Sequence, residues 1–386
     1  MLNKIKVCIV ITARPSYSRI RTAMLDLKKR ASVDLVVICS GSALLDRYGT
    51  ISDVIKADGF NVVEELYTFV EGNDLINMSL TTANTITSTS LALRKIMPDY
   101  VVSIADRYET LGTAVAASYL SIPLIHIQGG EVTGNIDDKV RHAVTKLSDI
   151  HLVSSQSAEK RLIAMGENPR VIFNTGCPSI DIARQSKLIK LSEIQTALQT
   201  HVVGSKINIK KKFGVLLQHP ETENFESSYD QMSKSLEAVS KTGIQILVFW
   251  PNVDAGSDST AKAIRVFREK NNPTNIAFVK NLPGELFLRL LSESEFLAGN
   301  SSVGLRECAF LGVPVVNIGD RQIGRDRSEN VIDVKCETHL IENALLTQIS
   351  KGRYPSSLIY GDGYSGEKIA DVVCSLKDIG VKRFYE

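Results

Sequence analysis

The residues of this chain best suited to moving a proton crowd into positions 106–142. YVVSIADRY carries Asp106 and Arg107, PLIHIQGGE carries His126, Gln128 and Glu131, and GNIDDKVRH carries Asp137, Asp138, Arg141 and His142. Carboxylates held close together repel one another, which raises some of their pKa values and suits general acid and base work. The Gly129-Gly130 pair would let backbone come close to a ligand. A structural reading stands beside this one, with Asp137 as a helix N-cap and Asp138 as a partner of the first-turn dipole.

A second set of residues suits an anionic, hydroxylated ligand. Arg14 follows the first apolar run, where its planar fork can pair with two oxygens of a diphosphate or simply decorate a loop. His219 follows another such run in LLQHPETE, as a residue facing a cleft or as a structural histidine. WPNVDAGS supplies Asn252, Asp254 and Ser257, all able to bond hydroxyls. In GNSSVGLRE, Ser301 and Ser302 cap a helix whose free N–H groups would take an anion, unless it is an ordinary capped helix. Glu307, a little over one turn in, can accept from two ribose hydroxyls.

Composition narrows the field. A chain of 386 residues that is 44% hydrophobic and 23% charged has material for two globular domains. A net charge of +2 argues against nucleic acid or an acidic membrane as partner. No stretch reaches the roughly 18 apolar residues of a membrane span. MLNKIKVCIVITARPS reads as a first strand, since no small-residue cleavage site follows its apolar run. The six cysteines are scattered without a CxxC pair and read as small buried hydrophobes in a reducing, cytoplasmic compartment. HExxH, a Cys/His cluster, a P-loop and a GxGxxG after either first strand are all missing, so neither metal nor cofactor is expected.

The elements that must hold these residues alternate between strands and helices, as in parallel α/β sheets. The spacing predicts strands over 6–12, 34–40, 100–105 and 123–127, with a helix whose Ile20, Met24 and Leu27 share one face and another over 111–120. A second series of strands covers 213–218, 244–250, 276–281, 295–300 and 314–319. Strands this apolar are buried on both faces. The expected organisation is a Rossmann-like domain over 1–182, with a C-terminal helix over 367–386 packing back on it, and a second Rossmann-like, nucleotide-binding domain over 183–366. Ligands of such sheets bind outside the carboxyl ends of the strands, here at a cleft between the domains.

The ordered set ARPSY, DRYETL, HIQGGEVTGNIDDKVRHAVTKLSDIH, GCPSID, QHPETE, PNVDAGS, GNSSVGLRE and GDRQIGR resembles the hydrolysing UDP-N-acetylglucosamine 2-epimerases along almost the whole chain. The chain is most similar to the epimerase half of the animal bifunctional epimerase/N-acetylmannosamine kinase, through GDRQIGRDRSENV and YPSSLIYGDG, and to bacterial sialic and legionaminic acid pathway epimerases. The resemblance implies a glycosyltransferase-B type α/β fold and a homodimer or homotetramer. It implies anti elimination of UDP to a 2-acetamidoglucal, followed by hydration to the free manno-configured sugar for nonulosonic acid synthesis. It makes Asp106 and Asp137 catalytic carboxylates and gives His219 the leaving nucleotide to stabilise. Arg14, Arg107, Ser301, Ser302 and Arg321 become phosphate contacts, Glu307 the ribose contact, and Asn281 and Leu282 the uracil contacts. Asn252 and Asp254 fall to the sugar.

Three departures bear on that assignment. Gln128 stands where the family's third catalytic carboxylate usually stands, and a carboxamide cannot shuttle a proton. Pro15-Ser16 replaces the usual Ala-Asp or Ala-Glu, and Ile104-Ala105 the usual His-Gly. Either Glu131 or Asp138 takes over the proton work, or the substrate differs (a 2,4-diacetamido sugar, or GDP for UDP), or the chain binds without turnover. A retaining-type glycosyltransferase on the same fold is the alternative enzyme. In RVFR, Arg265 and Arg268 lie at i, i+3. They read as a solvated helix face, or as similar to the basic pair that binds CMP-sialic acid in the animal enzyme.

Overall fold

The computed structural model describes residues 4–45, 50–71, 75–133, 136–221, 226–251, 257–280, 282–376 and 382–385. The chain divides into two compact units, Met1–Asp181 with Gly361–Glu386, and Ile182–Tyr360.

In the first unit, β1 (Ile5–Ile11), β2 (Val33–Ser40), β3 (Asn61–Leu66), β4 (Tyr100–Ile104), β5 (Leu124–Ile127), β6 (Ile150–Val153) and β7 (Ile172–Asn174) form one parallel sheet. The order is β3-β2-β1-β4-β5-β6-β7. The central strands β4, β5 and β6 are buried along their whole length and β1 over Val7–Ile11, because their apolar residues are consecutive, whereas the edge strand β3 is only partly covered. Along β1, Val7, Ile9 and Ile11 enter one core with Ile20, Met24 and Leu27 of the helix Arg14–Lys29. Cys8 and Val10 enter the other, with Leu93, Ala114 and Ala117. The helix Ser365–Ser375 closes the first core with Ile369, Ala370 and Val373. Its first N–H groups, on Ser365 and Gly366, donate to the Asp181 carboxylate at 2.8 and 2.7 Å. That helix stops at Ser375 rather than running toward the C-terminus, and residues 382–385 are not helical.

In the second unit, β8 (Val202–Gly204), β9 (Phe213–Leu217), β10 (Gln245–Phe249), β11 (Ile276–Val279), β12 (Phe296–Gly299), β13 (Val315–Ile318) and β14 (Val331–Val334) are ordered β14-β13-β12-β9-β10-β11-β8. All pairs are parallel except β8 on β11, an edge strand within the polar 183–212 segment that the apolar pattern did not announce. Its core joins Leu216, Ile246, Val248, Phe278 and Phe296 to Met232, Leu236 and Leu345 from the covering helices.

Both sheets reverse direction at one place, between β1 and β4 in the first and between β9 and β12 in the second. The connections leave on opposite faces there, which opens a crevice at the carboxyl ends of the strands. Arg14 and Asp106 follow β1 and β4, and His219 and Ser301 follow β9 and β12. Among the described residues no helix is long and apolar enough to cross a membrane.

Candidate active site

Arg141 organises the polar cluster of the first unit. It lies on the helix Ile136–Leu147 at a position where the buried stripe calls for an apolar residue, and it is 1% exposed. Its guanidinium pairs with Asp106, just past β4, and with Asp138 one turn back. It also donates to the Glu131 carbonyl at 2.7 Å. Burial pulls the Arg141 pKa down, but Asp106, Glu131 and Asp138 more than offset this and hold it above its ordinary value. The expected mutual repulsion of the carboxylates is therefore corrected: a buried cation lies among them. A charged residue on the apolar face of that helix was the available signal for it.

Asp138 is held from both sides. Besides Arg141, it accepts from the Thr133 backbone N–H at 2.9 Å and from the Thr133 hydroxyl at 2.8 Å. Asp137 lies in the first turn of the same helix, one residue inside its start, and so is not its N-cap. Glu131 is buried, with 6% exposure.

The exits of β4 and β5 share an unusual backbone. Ala105 and Gln128 both have positive φ, 65° and 67°. Each still donates its N–H to the next strand, Ala105 to the Ile127 carbonyl and Gln128 to the Leu152 carbonyl, both at 3.0 Å. The ladder thus continues one residue while the chain turns sharply, which directs Asp106 and the 129–131 loop away from the sheet. Non-glycine residues in this region carry about 1–2 kcal/mol of strain each. Beneath them His126 is wholly buried, with Nε2 3.1 Å from the Ala105 carbonyl and Nδ1 3.3 Å from the Thr145 hydroxyl. Burial drives its pKa down to about 3, so it is a neutral strut between β4 and the helix that carries Arg141.

Gln128 is 2% exposed, and its Nε2 donates to the Cys177 sulfur at 3.1 Å. Its Oε1 has no hydrogen-bond partner among the described residues. The Gly129-Gly130 pair meets the protein's own demands before any ligand's. A Cβ on Gly129 would stand 2.9 Å from His126 Nδ1, and one on Gly130, at φ 76°, would stand 2.5 Å from the Ala158 carbonyl oxygen. Arg14 is exposed at the start of its helix. Arg107 pairs with the buried Glu109 at 3.2 Å and lies over the Tyr108 ring.

In the second unit, His219 is 5% exposed, and burial together with the Arg321 charge lowers its pKa to about 3. A neutral imidazole is the result. Ser301 is the N-cap of Ser302–Leu305 and accepts from the Val303 N–H at 3.5 Å. The single capped helix expected after Ser301 is corrected here: the backbone turns at Arg306 (φ −99°, ψ −77°), and a second short helix, Glu307–Leu311, follows. So short a first helix has little dipole to offer an anion. The polar capacity at this strand end rests on hydroxyls and on Arg321 instead. Glu307 has a buried Oε2 with no hydrogen-bond partner among the described residues. Leu282 is buried. Asn252, Asp254 and Asn281 lie outside the described residues. Arg265 is exposed and Arg268 half-buried on the helix Ser257–Asn271. No group of three or more His, Cys, Asp or Glu placed to hold a metal occurs among the described residues.

The profile of the UDP-N-acetylglucosamine 2-epimerase family matches residues 25–374. The chain belongs to that family. It is an enzyme of this epimerase type, as the sequence resemblance led us to expect. It is 31% identical over 366 residues, 94% of each chain, to the Legionella pneumophila UDP-N,N'-diacetylbacillosamine 2-epimerase (hydrolyzing). It is 32% identical over 347 residues to the Escherichia coli polysialic acid biosynthesis protein P7, covering 87% of this epimerase and 84% of that protein. It is 29% identical over 371 residues to the Neisseria meningitidis UDP-N-acetylglucosamine 2-epimerase, covering 95% and 94%. The solved structure of a Neisseria meningitidis UDP-GlcNAc 2-epimerase bound to UDP-GlcNAc superposes with a TM-score of 0.80 at 19% identity, covering 96% of this chain and all of that one. The epimerase therefore has the glycosyltransferase-B type fold, built from two Rossmann-like domains.

Proposed function

We propose that this epimerase hydrolyses a UDP-activated 2-acetamido sugar to UDP and the free manno-configured sugar. The Arg141 hub carries the reading, because it holds one carboxylate, Asp106, at a strand exit with 16% exposure while a second, Asp138, is fixed beside it. In the first step a base takes the C2 proton as the C1–O bond breaks, and both electrons of that bond leave with UDP. Water then adds across the resulting double bond, its hydroxyl to C1 and a proton to C2 from the opposite side. Asp106 and Asp137 share this proton work. Glu131 takes the third place, since the Gln128 carboxamide cannot shuttle a proton and is tied to Cys177. Asp138, engaged by Thr133 and Arg141, holds the geometry.

His219, Ser301, Ser302 and Arg321 receive the departing diphosphate, with Arg14 and Arg107 as further phosphate contacts. A neutral His219 can donate one hydrogen bond and take up a proton as negative charge arrives. Glu307 offers its unpartnered oxygen to the ribose, Leu282 and Asn281 hold the base, and Asn252 and Asp254 the sugar. The substrate is UDP-N-acetylglucosamine or a 2,4-diacetamido analogue, in keeping with the names of the Neisseria and Legionella relatives. The name of the Escherichia coli relative supports a place in nonulosonic acid synthesis.

Incubation with each UDP-sugar in D2O, followed by NMR, tests this. Free manno-configured sugar carrying deuterium at C2, together with UDP, is the expected outcome. Release of sugar without C2 exchange, or none from either substrate, refutes the proposal.

A further inference from the structure

Asn300, the first residue past β12, is 0% exposed and makes four hydrogen bonds among the described residues. Its Oδ1 accepts from the His219 N–H at 2.8 Å, and its Nδ2 donates to the His219 carbonyl at 2.9 Å. Its own carbonyl accepts from Arg321 Nη1 at 3.2 Å and from Gln322 Nε2 at 2.9 Å. The next two residues are Ser301 and Ser302. One residue therefore bonds to His219 and Arg321 and directly precedes the Ser301-Ser302 pair, the groups to which the proposed function gives the diphosphate in this unit.

The reason lies in the sheet. β9 and β12 pair in register from Phe296 with Gly214 to Gly299 with Leu217, and this is the switch point, where the two chains must part. Gly299, at φ 133°, lies so close to the Leu217 carbonyl that a Cβ there would be driven into it. Beyond Gly299 the backbone ladder ends. The Asn300 carboxamide, with one donor and one acceptor side by side, reproduces the next rung against His219 after the backbones have begun to diverge. Asparagine suits this task. Aspartate lacks the donor, serine is too short to meet N–H and C=O together, and glutamine adds a methylene to a space with no exposure.

We propose that Asn300 is the positioning residue of the diphosphate pocket, locking His219, Arg321 and the Ser301-Ser302 pair into one geometry. This rests on the nucleotide reading given above. Asn300 itself touches no phosphate. Its loss should loosen the grip on the distal phosphate and leave the contacts to uridine in place.

The test is the preference for UDP over UMP, measured by calorimetry on the wild-type chain, Asn300→Asp and Gln322→Met. Asn300→Asp keeps the acceptor for the His219 N–H and loses the donor. Gln322→Met loses a single bond to the Asn300 carbonyl at similar volume, and serves if the first variant does not fold. The expected result is a fall in the preference of about ten-fold for Asn300→Asp and about three-fold for Gln322→Met, with UMP affinity nearly unchanged. A fall of similar size for Arg321→Ala, not deepened by adding Asn300→Asp, would show that the two act as one unit. A merely structural role would lower the fraction of active protein and leave the preference alone, and that outcome overturns the proposal. A wild-type chain that does not bind UDP overturns the nucleotide reading itself and this inference with it. UDP binding with an unchanged preference in both variants overturns only the bracket.

Discussion

Arg141→Met keeps an unbranched apolar stem and removes the charged head that Asp106 and Asp138 share. In the wild type the guanidinium is 1% exposed, while the two carboxylates are 16% and 17% exposed. Removing one partner of a buried ion pair costs roughly 3–5 kcal/mol, because the other is left uncompensated. Water reaches these carboxylates, which places the cost near the lower end, at about 3 kcal/mol. With a urea dependence of about 2 kcal/mol per molar, the unfolding midpoint at pH 7 should fall by about 1.5 M. Turnover of UDP-sugar should fall at least about 100-fold, since Asp106 loses its orientation as well as its neighbouring charge. Arg141→Lys restores a point charge but not the fork that meets two carboxylates and the Glu131 carbonyl at once. It should recover part of the stability and little of the activity. A methionine variant that unfolds within about 0.5 kcal/mol of the wild type and keeps full turnover would refute the hub, because that is the range of an ordinary surface substitution.

Acid should unfold the first unit early. The folded pKa of His126, about 3, lies below its ordinary 6.5, so below pH 6.5 the unfolded chain takes up a proton that the folded chain refuses. Stability is unaffected above pH 6.5 and falls as pH drops from there toward 3, by about 2 kcal/mol at pH 5 for this residue alone. His126→Gln should flatten that slope in denaturation curves at pH 7 and 5, and an unchanged slope would count against a buried neutral imidazole. Ala105→Gly should stabilise the fold by about 0.5–1 kcal/mol, as relief of left-handed strain outweighs the added chain entropy. A thermal scan that shows a loss would mean the strain is absent. Gln128→Glu places an acid against the Cys177 thiol in a site with 2% exposure, at a cost of about 1–3 kcal/mol. No rise in turnover is expected, and a large one would take the third proton role away from Glu131.

Much of the architecture was legible in the chain. Consecutive apolar residues such as VCIVI, VVSI and LVF demand burial on both faces, and their alternation with helical periods leaves a parallel α/β sheet as the way to provide it. The strands expected from 6–12 through 314–319 lie within a residue or two of those observed, and the fold class followed from them. The short edge strand β8 escaped because VVG in a polar segment has no pattern of its own; its partner on β11 defines it. The broken helix after Ser301 escaped for a similar reason, since VGLRECAFL reads as one continuous helical run.

The polar residues divide in the same way. Residue type and position along the chain were enough to place Asp106, His219 and Ser301 just after strands, because a strand end can be read from where its apolar run stops. Which charges meet cannot be read so. Arg141 reaches Asp106 across 35 positions only because β4 and the helix Ile136–Leu147 are brought together by the sheet, and Asn300 reaches His219 across 81 only because β9 and β12 are neighbours. The left-handed turns at Ala105 and Gln128 belong to the same class, since neither residue type prefers that conformation and only ladder bonds to the adjacent strands impose it. Local pattern decided the elements and their order. Long-range packing decided which side chain answers which charge, because that depends on distances of a few ångströms between segments the chain holds far apart.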